Sequence, residues 1–140
     1  MQINVKRIEK SEWVSLSRDA HVSVFKEEWE AEKERVDFAL LTTDSEDQLI
    51  QYATLRELDS ESVYIQYGGS FPTYRGSIPA YRSFQAILRW LGERYPNVTF
   101  LTENTNLAML KFAIREGFII VGLRATKKSI MLELYKTKGE

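Results

Sequence analysis

Arg75-Gly76-Ser77, followed closely by Pro79, is the segment of this sequence whose residue types are best suited to chemistry. Proline favours the first residue of a helix, so the spacing predicts a helix beginning at Pro79. Amides at a helix start point outward with the positive end of the dipole, and such a terminus binds phosphate. Gly76 lets a ligand approach the backbone closely, and Arg75 adds a fixed charge with paired donors. Arg82 and Arg89 follow at seven-residue spacing, near one helix face. They read either as a basic stripe reaching toward a nucleotide phosphate or as a solvated surface. Tyr67, Tyr74 and Tyr81 flank the same region and carry hydroxyls that can donate a proton, although packing is the commoner use of each ring.

Other chemistries are excluded by what the chain lacks. It has no cysteine and one histidine, His21, which removes disulfides, zinc–thiolate centres, cysteine nucleophiles and multi-histidine metal sites. His21 and Ser23 share a predicted helix but face different ways, so they make a poor hydrolytic pair. A net charge of −1 over 140 residues gives no global field to hold a nucleic acid. The start of the chain has no signal-like apolar run, and no stretch approaches the ~20 apolar residues of a membrane span, so a cytoplasmic location is expected.

The elements that must position the loop follow from periodicity. Ile3, Val5 and Ile8 predict a strand, and Ser11 an N-cap for a helix over about Glu12 to Phe25. A second, charged helix is expected through Glu27 to Arg35. Val36-Phe38-Leu40, Leu49 to Arg56 and Val63-Ile65-Tyr67 alternate between polar turns and read as an antiparallel meander. Gly68-Gly69 either ends the third of these strands or marks a bulge. Tyr81, Phe84, Leu88 and Leu91 form a helical stripe that Pro96 terminates; Val98 to Leu101 is a strand. Asn104 to Asn106 offers N-caps for a helix that Gly117 stops, and Phe118 to Arg124 and Ser129 to Tyr135 are closing strands. The order is β-α-α-β-β-β-α-β-α-β-β in one domain spanning residues 1–140, with about seven strands, four helices and no repeats.

That order, with a Gly-Arg loop ahead of the third helix, resembles the GNAT superfamily of acyl-CoA-dependent N-acyltransferases along nearly the whole chain. Phe71-Pro72-Thr73-Tyr74-Arg75-Gly76-Ser77-Ile78-Pro79-Ala80 is similar to the family's pyrophosphate loop, and Asn106 through Gly117-Phe118 to its Asn-x-x-Ala…Gly-Phe helix and strand entry. The resemblance implies a mixed, mainly antiparallel α/β sheet and acetyl-CoA as co-substrate without a metal. It also implies transfer to a primary amine of a small molecule or protein by direct attack in a ternary complex. Cofactor contacts fall on Ser70, Phe71, Arg75, Gly76, Ser77, Ile78, Ala80 and Asn106. The family's first two helices help wall the acceptor pocket, where Glu27, Glu28, Glu30, Glu32 and Glu34 would attract a cationic amine; a charged solvated face is the other reading.

Three positions depart from the family. Ile78 replaces a usual glycine, Pro79 has no N–H to give, and Ala113 stands where many members carry a tyrosine acid. No carboxylate precedes Gly68 on the fourth strand, where many members have a glutamate base. These departures keep two further readings open: a fold relative that binds without chemistry, and an assembly component, such as a homodimer formed through an exposed strand edge.

Overall fold

The structure, a computed structural model, describes residues 2–25 and 35–138. The strands are β1 (Asn4–Glu9), β2 (Phe38–Thr43), β3 (Leu49–Asp59), β4 (Ser62–Ser70), β5 (Asn97–Glu103), β6 (Ile119–Ala125) and β7 (Ile130–Thr137). The helices are α1 (Lys10–Phe25), α2 (Ile78–Gly92) and α3 (Leu107–Arg115). All seven strands join one sheet in the order β1-β2-β3-β4-β5-β7-β6. Every neighbouring pair is antiparallel except β4 and β5, which run parallel.

Alternation along the strands sorts the core into two layers. Phe38 and Leu40 of β2 join Ala53, Leu55, Val63 and Ile65 beneath α2 and α3. Ala39 and Leu41, their neighbours in sequence, face the other way and pack with Ile8, Trp13 and Tyr52 beneath α1. Apolar side chains at every position from Phe38 to Leu41 therefore make a strand buried on both faces. The stripe on α2 supplies Phe84, Ile87, Leu88 and Leu91 to the first layer.

Several local expectations shift. α1 starts at Lys10, directly after β1, so Ser11 lies inside the first turn and is not its cap. α2 begins at Ile78, one residue before the expected Pro79; Ser77 is the N-cap, and its side chain accepts the Ala80 N–H at 3.3 Å. Gly68 and Gly69 do not end β4, which continues to Ser70. Among the described residues there are three α-helices; the charged helix expected over Glu27 to Arg35 lies outside them except for Arg35, which is not helical.

α3 closes as expected at Gly117, whose φ of 96° is a conformation that favours glycine. The Phe118 N–H reaches the Ala113 carbonyl (2.9 Å) and the Gly117 N–H the Ile114 carbonyl (3.1 Å), a Schellman closure that sends Phe118 into the core.

Burial ranks the cost of truncation. Leu40→Ala, at a fully buried position, should lower unfolding free energy by about 2–5 kcal/mol in urea titration. Leu58→Ala, at an exposed one, should change it by no more than about 0.5 kcal/mol. Equal losses would contradict the assigned layers.

Candidate functional site

The parallel pair at the centre of the sheet is short. β4 and β5 are matched only from Ser62↔Asn97 to Ile65↔Phe100. Beyond that point β4 continues to Ser70 and β5 to Glu103 without pairing to each other. The break coincides with a bulge. On the β3 side, Leu55 matches Ile65 and Thr54 matches Tyr67, leaving Gln66 as the extra residue. Thr54 Oγ1 donates to Gln66 Oε1 (3.4 Å) and helps hold it. The bulge therefore precedes the glycines that suggested one, and Gly68 and Gly69 stay in register with Ala53 and Tyr52.

The strands separate around a cavity of about 570 Å3. Its lining comes from both faces of the sheet. Ile65, Phe84, Phe100 and Met109 belong to the α2/α3 layer. Tyr64 and Glu103 alternate with core residues and so face the α1 side. The opening is a slot through the sheet. Glu103, at the end of β5, is the one carboxylate on its lining among the described residues. Thr105 Oγ1 donates to it at 3.4 Å. Burial raises the Tyr64 phenol above its ordinary value, opposed by Arg56 and Arg124 and reinforced by Glu133, so Tyr64 stays protonated at neutral pH.

On the α2 side the slot adjoins a second cavity of about 510 Å3, with Gly68, Phe84, Asn106 and Met109 lining both. This cavity gathers six of the eight expected cofactor contacts, Ser70, Arg75, Gly76, Ser77, Ala80 and Asn106, together with Gly68, Gly69 and Tyr81. Phe71 and Ile78 are not on its lining. Phe71 packs on Tyr52 and gives its N–H to the Ile50 carbonyl (2.9 Å), while the Ile78 side chain is exposed. Gly76 has φ 74° with open space around it, so its conformation, not crowding, calls for glycine.

The donors at this helix start are fewer than four. Ser77 Oγ takes the Ala80 N–H, the Ser77 N–H goes to the Tyr74 carbonyl, and Pro79 has none. The Gly76 and Ile78 amides have no partner among the described residues. Asn106 Oδ1 is committed to the Met109 N–H (3.2 Å) as the cap of α3. Arg89 lies about 18 Å along α2 from Ser77 and lines a different cavity with Lys136 and Lys138. Arg82 lines none of these cavities. Neither arginine therefore shares a cavity with the Arg75 loop.

Two further residues of the site stand outside the motif. Gln51 is 4% exposed, lines the cavity beside Arg75 and Gly76, and its Oε1 has no hydrogen-bond partner. A buried acceptor left unpaired is costly and marks a place for an incoming donor. The other is Glu103. Their signal was a polar residue in a strand run: Gln51 shares its face with Ala53 and Leu55, and Glu103 ends the strand that carries Val98, Phe100 and Leu101. Of the tyrosines, Tyr67 lines the slot, Tyr81 packs edge-on against Phe112 at 4.9 Å, and Tyr74 donates to Asp44 Oδ2 at 3.1 Å. His21 lies on α1. The glutamates from Glu27 to Glu34 fall outside the described residues. Among the described residues no acidic or histidine cluster could hold a metal, and no helix is long and apolar enough to cross a membrane.

No family model and no curated protein matches the chain. Solved structures do. The ribosomal-protein-S18-alanine N-acetyltransferase of Escherichia coli superposes with a TM-score of 0.78 at 9% identity, over 99% of this chain and 96% of that one. The dodecameric spermidine N-acetyltransferase of Vibrio cholerae gives 0.75 at 13% identity, over 98% and 94%. A GNAT family acetyltransferase of Elizabethkingia anophelis, solved with acetyl-CoA bound, gives 0.67 at 12% identity, over 96% and 97%. The chain has the GNAT fold.

The Tyr74–Asp44 contact ties the Arg75 loop to the β2–β3 turn, where Asp44 Oδ1 also accepts the N–H groups of Glu46 (2.8 Å) and Gln48 (3.0 Å). These bonds, the Gln48 amide foremost, hold the Asp44 carboxyl below its ordinary value. A lowered folded value contributes stability that is complete above the unfolded value of about 3.9 and is lost as pH falls through the folded one. Asp44→Ala should therefore melt below wild type at pH 7, with the difference vanishing as the pH is taken well under about 3.9. A gap in melting temperature that persists unchanged in acid would contradict this tether.

Proposed function

We propose that the chain is an acyl-CoA-dependent N-acyltransferase. In this reading it carries acetyl from acetyl-CoA to a primary amine of a small molecule or protein by direct attack in a ternary complex. The observation that carries the reading is the slot at the β4–β5 break. It joins a phosphate-suited helix start on one face of the sheet to a carboxylate and a protonated tyrosine on the other. Two reactants held on opposite faces meet in the opening, and positioning of this kind supplies much of the rate of a bimolecular reaction. The names of the superposing enzymes, acting on an S18 alanine and on spermidine, agree with an amine acceptor.

Acyl-CoA supplies an activated thioester. Arg75 and the amides of Gly76 and Ile78 hold its pyrophosphate. Gln51 Oε1 accepts an N–H from the arm, and the unpaired edge of β4 past Gln66 offers backbone groups to the arm and to the thioester carbonyl. On the α1 face Glu103 takes a proton from the acceptor ammonium, leaving the neutral amine. The new N–C bond forms as the C–S bond breaks; the departing thiolate collects a proton from Tyr64 or Tyr67, the phenols lining the slot, and the phenolate so formed takes the proton that the new amide nitrogen sheds. Tyr74 is engaged with Asp44 and holds the loop.

A second reading, a non-catalytic binding protein of the same fold, draws on the shortage of donors at Pro79 and on Ala113, which is fully buried and has no hydroxyl.

Calorimetric titration tests the first step. Acetyl-CoA should bind at micromolar concentration, and Arg75→Ala should weaken it about tenfold; no binding at millimolar acetyl-CoA would overturn the assignment. Glu103→Gln should cut kcat/KM for the amine by about 100-fold, with acetyl-CoA affinity unchanged. Full activity in that variant would remove Glu103 from the mechanism, and binding without turnover across an amine panel would favour the second reading.

A further inference from the structure

A third cavity, of about 400 Å3, lies at the far end of α2 from the Arg75 loop. Its walls come from the second half of α2, the turn after α3, the start of β5 and the end of β7. It shares no lining residue with the slot or with the cavity beside Arg75. The floor is apolar, with Leu88, Val98 and Phe118 all buried in the α2/α3 layer. The rim is cationic. Val98 is matched with Lys136, and alternation along β7 puts Lys136 and Lys138 on the same face as the buried Leu134. Arg89 joins them from α2.

None of these three cations is in an ion pair with a carboxylate among the described residues. The Lys136 ammonium stands 6.0 Å from the centre of the Phe118 ring, so the charge adjoins the apolar floor. Two carboxylates share the lining, and each is already engaged: Glu93 with Arg94 at 3.7 Å, and Glu116 Oε2 with the Gln85 amide at 3.3 Å. Gly92, the last residue of α2, lies on the same wall. Its φ is outside the left-handed range and nothing stands within 4 Å of where a Cβ would be, so neither a turn nor crowding calls for glycine. Glycine costs a helix stability relative to alanine. Here the omission of a side chain keeps the cavity wall clear.

We infer that this cavity is a second small-molecule site, built for an organic acid with one carboxylate on an apolar body. The carboxylate takes the Arg89 guanidinium and the Lys136 ammonium, donors suited to it, and a ring or short alkyl chain lies on Leu88, Val98 and Phe118. Glu93 and Glu116 limit the charge, since a phosphate or a polycarboxylate would meet repulsion from both. A cationic amine is repelled by the rim, and a wholly polar anion gains nothing from the floor. The volume lies within the ~300–1,000 Å3 of small-molecule sites. The inference is independent of the proposed acyl transfer, which does not use this cavity.

Calorimetry and amide chemical-shift mapping with three probes test it: 1-naphthoate, the neutral 1-naphthylmethanol and the cationic 1-naphthylmethylammonium. Naphthoate should bind the wild type with a Kd of about 1 mM or tighter, the alcohol about tenfold more weakly, and the ammonium more weakly still. The shifts should fall on Gly92, Phe118 and Lys136, and not on Gly76 or Ile78. Lys136→Gln should weaken naphthoate about tenfold and leave the alcohol unchanged. Gly92→Leu adds a side chain where there is open space, so it should melt no lower than wild type and lose all three probes. No naphthoate binding at about 10 mM, equal affinity for acid and alcohol, shifts centred on the Arg75 loop, or undiminished binding by a folded Gly92→Leu would each overturn the inference.

Discussion

A parallel pair of strands at the centre of a sheet is ordinarily buried and continuous, because each backbone group must find a partner. Here the pairing of β4 with β5 lasts four residues and stops where Gln66 is inserted into β4. That one extra residue separates the strands, opens a passage between the two faces of the sheet, and leaves the β4 backbone from Gln66 to Ser70 without its neighbour. The candidate site is a consequence of this break. Its polar groups, Tyr64, Glu103, Gln51 and the Arg75 loop, sit along the opening and its continuation.

The surroundings keep the break from spreading. Above it, Val63 and Ile65 are locked in the larger core with Phe84, Val98 and Phe100. Beside it a buried polar chain links helix to sheet: Ser83 Oγ donates to Thr42 Oγ1, which donates to the Gln51 carbonyl at 3.2 Å. These groups are fully or nearly fully buried, so each bond avoids the cost of an unpaired polar atom. The chain fixes α2 against β2 and β3, and the Asp44–Tyr74 contact fixes the loop that precedes α2. The helix start is thus held from two sides, which a binding site needs if its geometry is to exist before the ligand arrives.

Much of this was legible in the residues. The apolar stripe of α2 and the stop at Gly117 follow from period and composition, whereas β2 read as an alternating strand and is buried on both faces; the Arg75-Gly76-Ser77 segment lines a cavity. What could not be read depended on partners distant in sequence. Gly68-Gly69 drew attention to β4, yet the bulge is at Gln66 because the register with β3 and the Thr54 contact decide it. Gln51 and Glu103 have no local motif; only the pairing of β3 with β4 and the divergence of β5 bring them to the cavities. Arg89 shows the opposite failure, since a tidy seven-residue spacing carried it along α2 to another cavity.

The most direct test of the break as the seat of binding is hydrogen exchange along β4 with and without acetyl-CoA. The account predicts that amides from Tyr67 to Ser70, together with Gly76 and Ile78, gain protection on adding acetyl-CoA, while the Ser62–Ile65 segment, already paired with β5, does not change. Protection confined to other elements, with the β4 edge exchanging as freely as before, would contradict it.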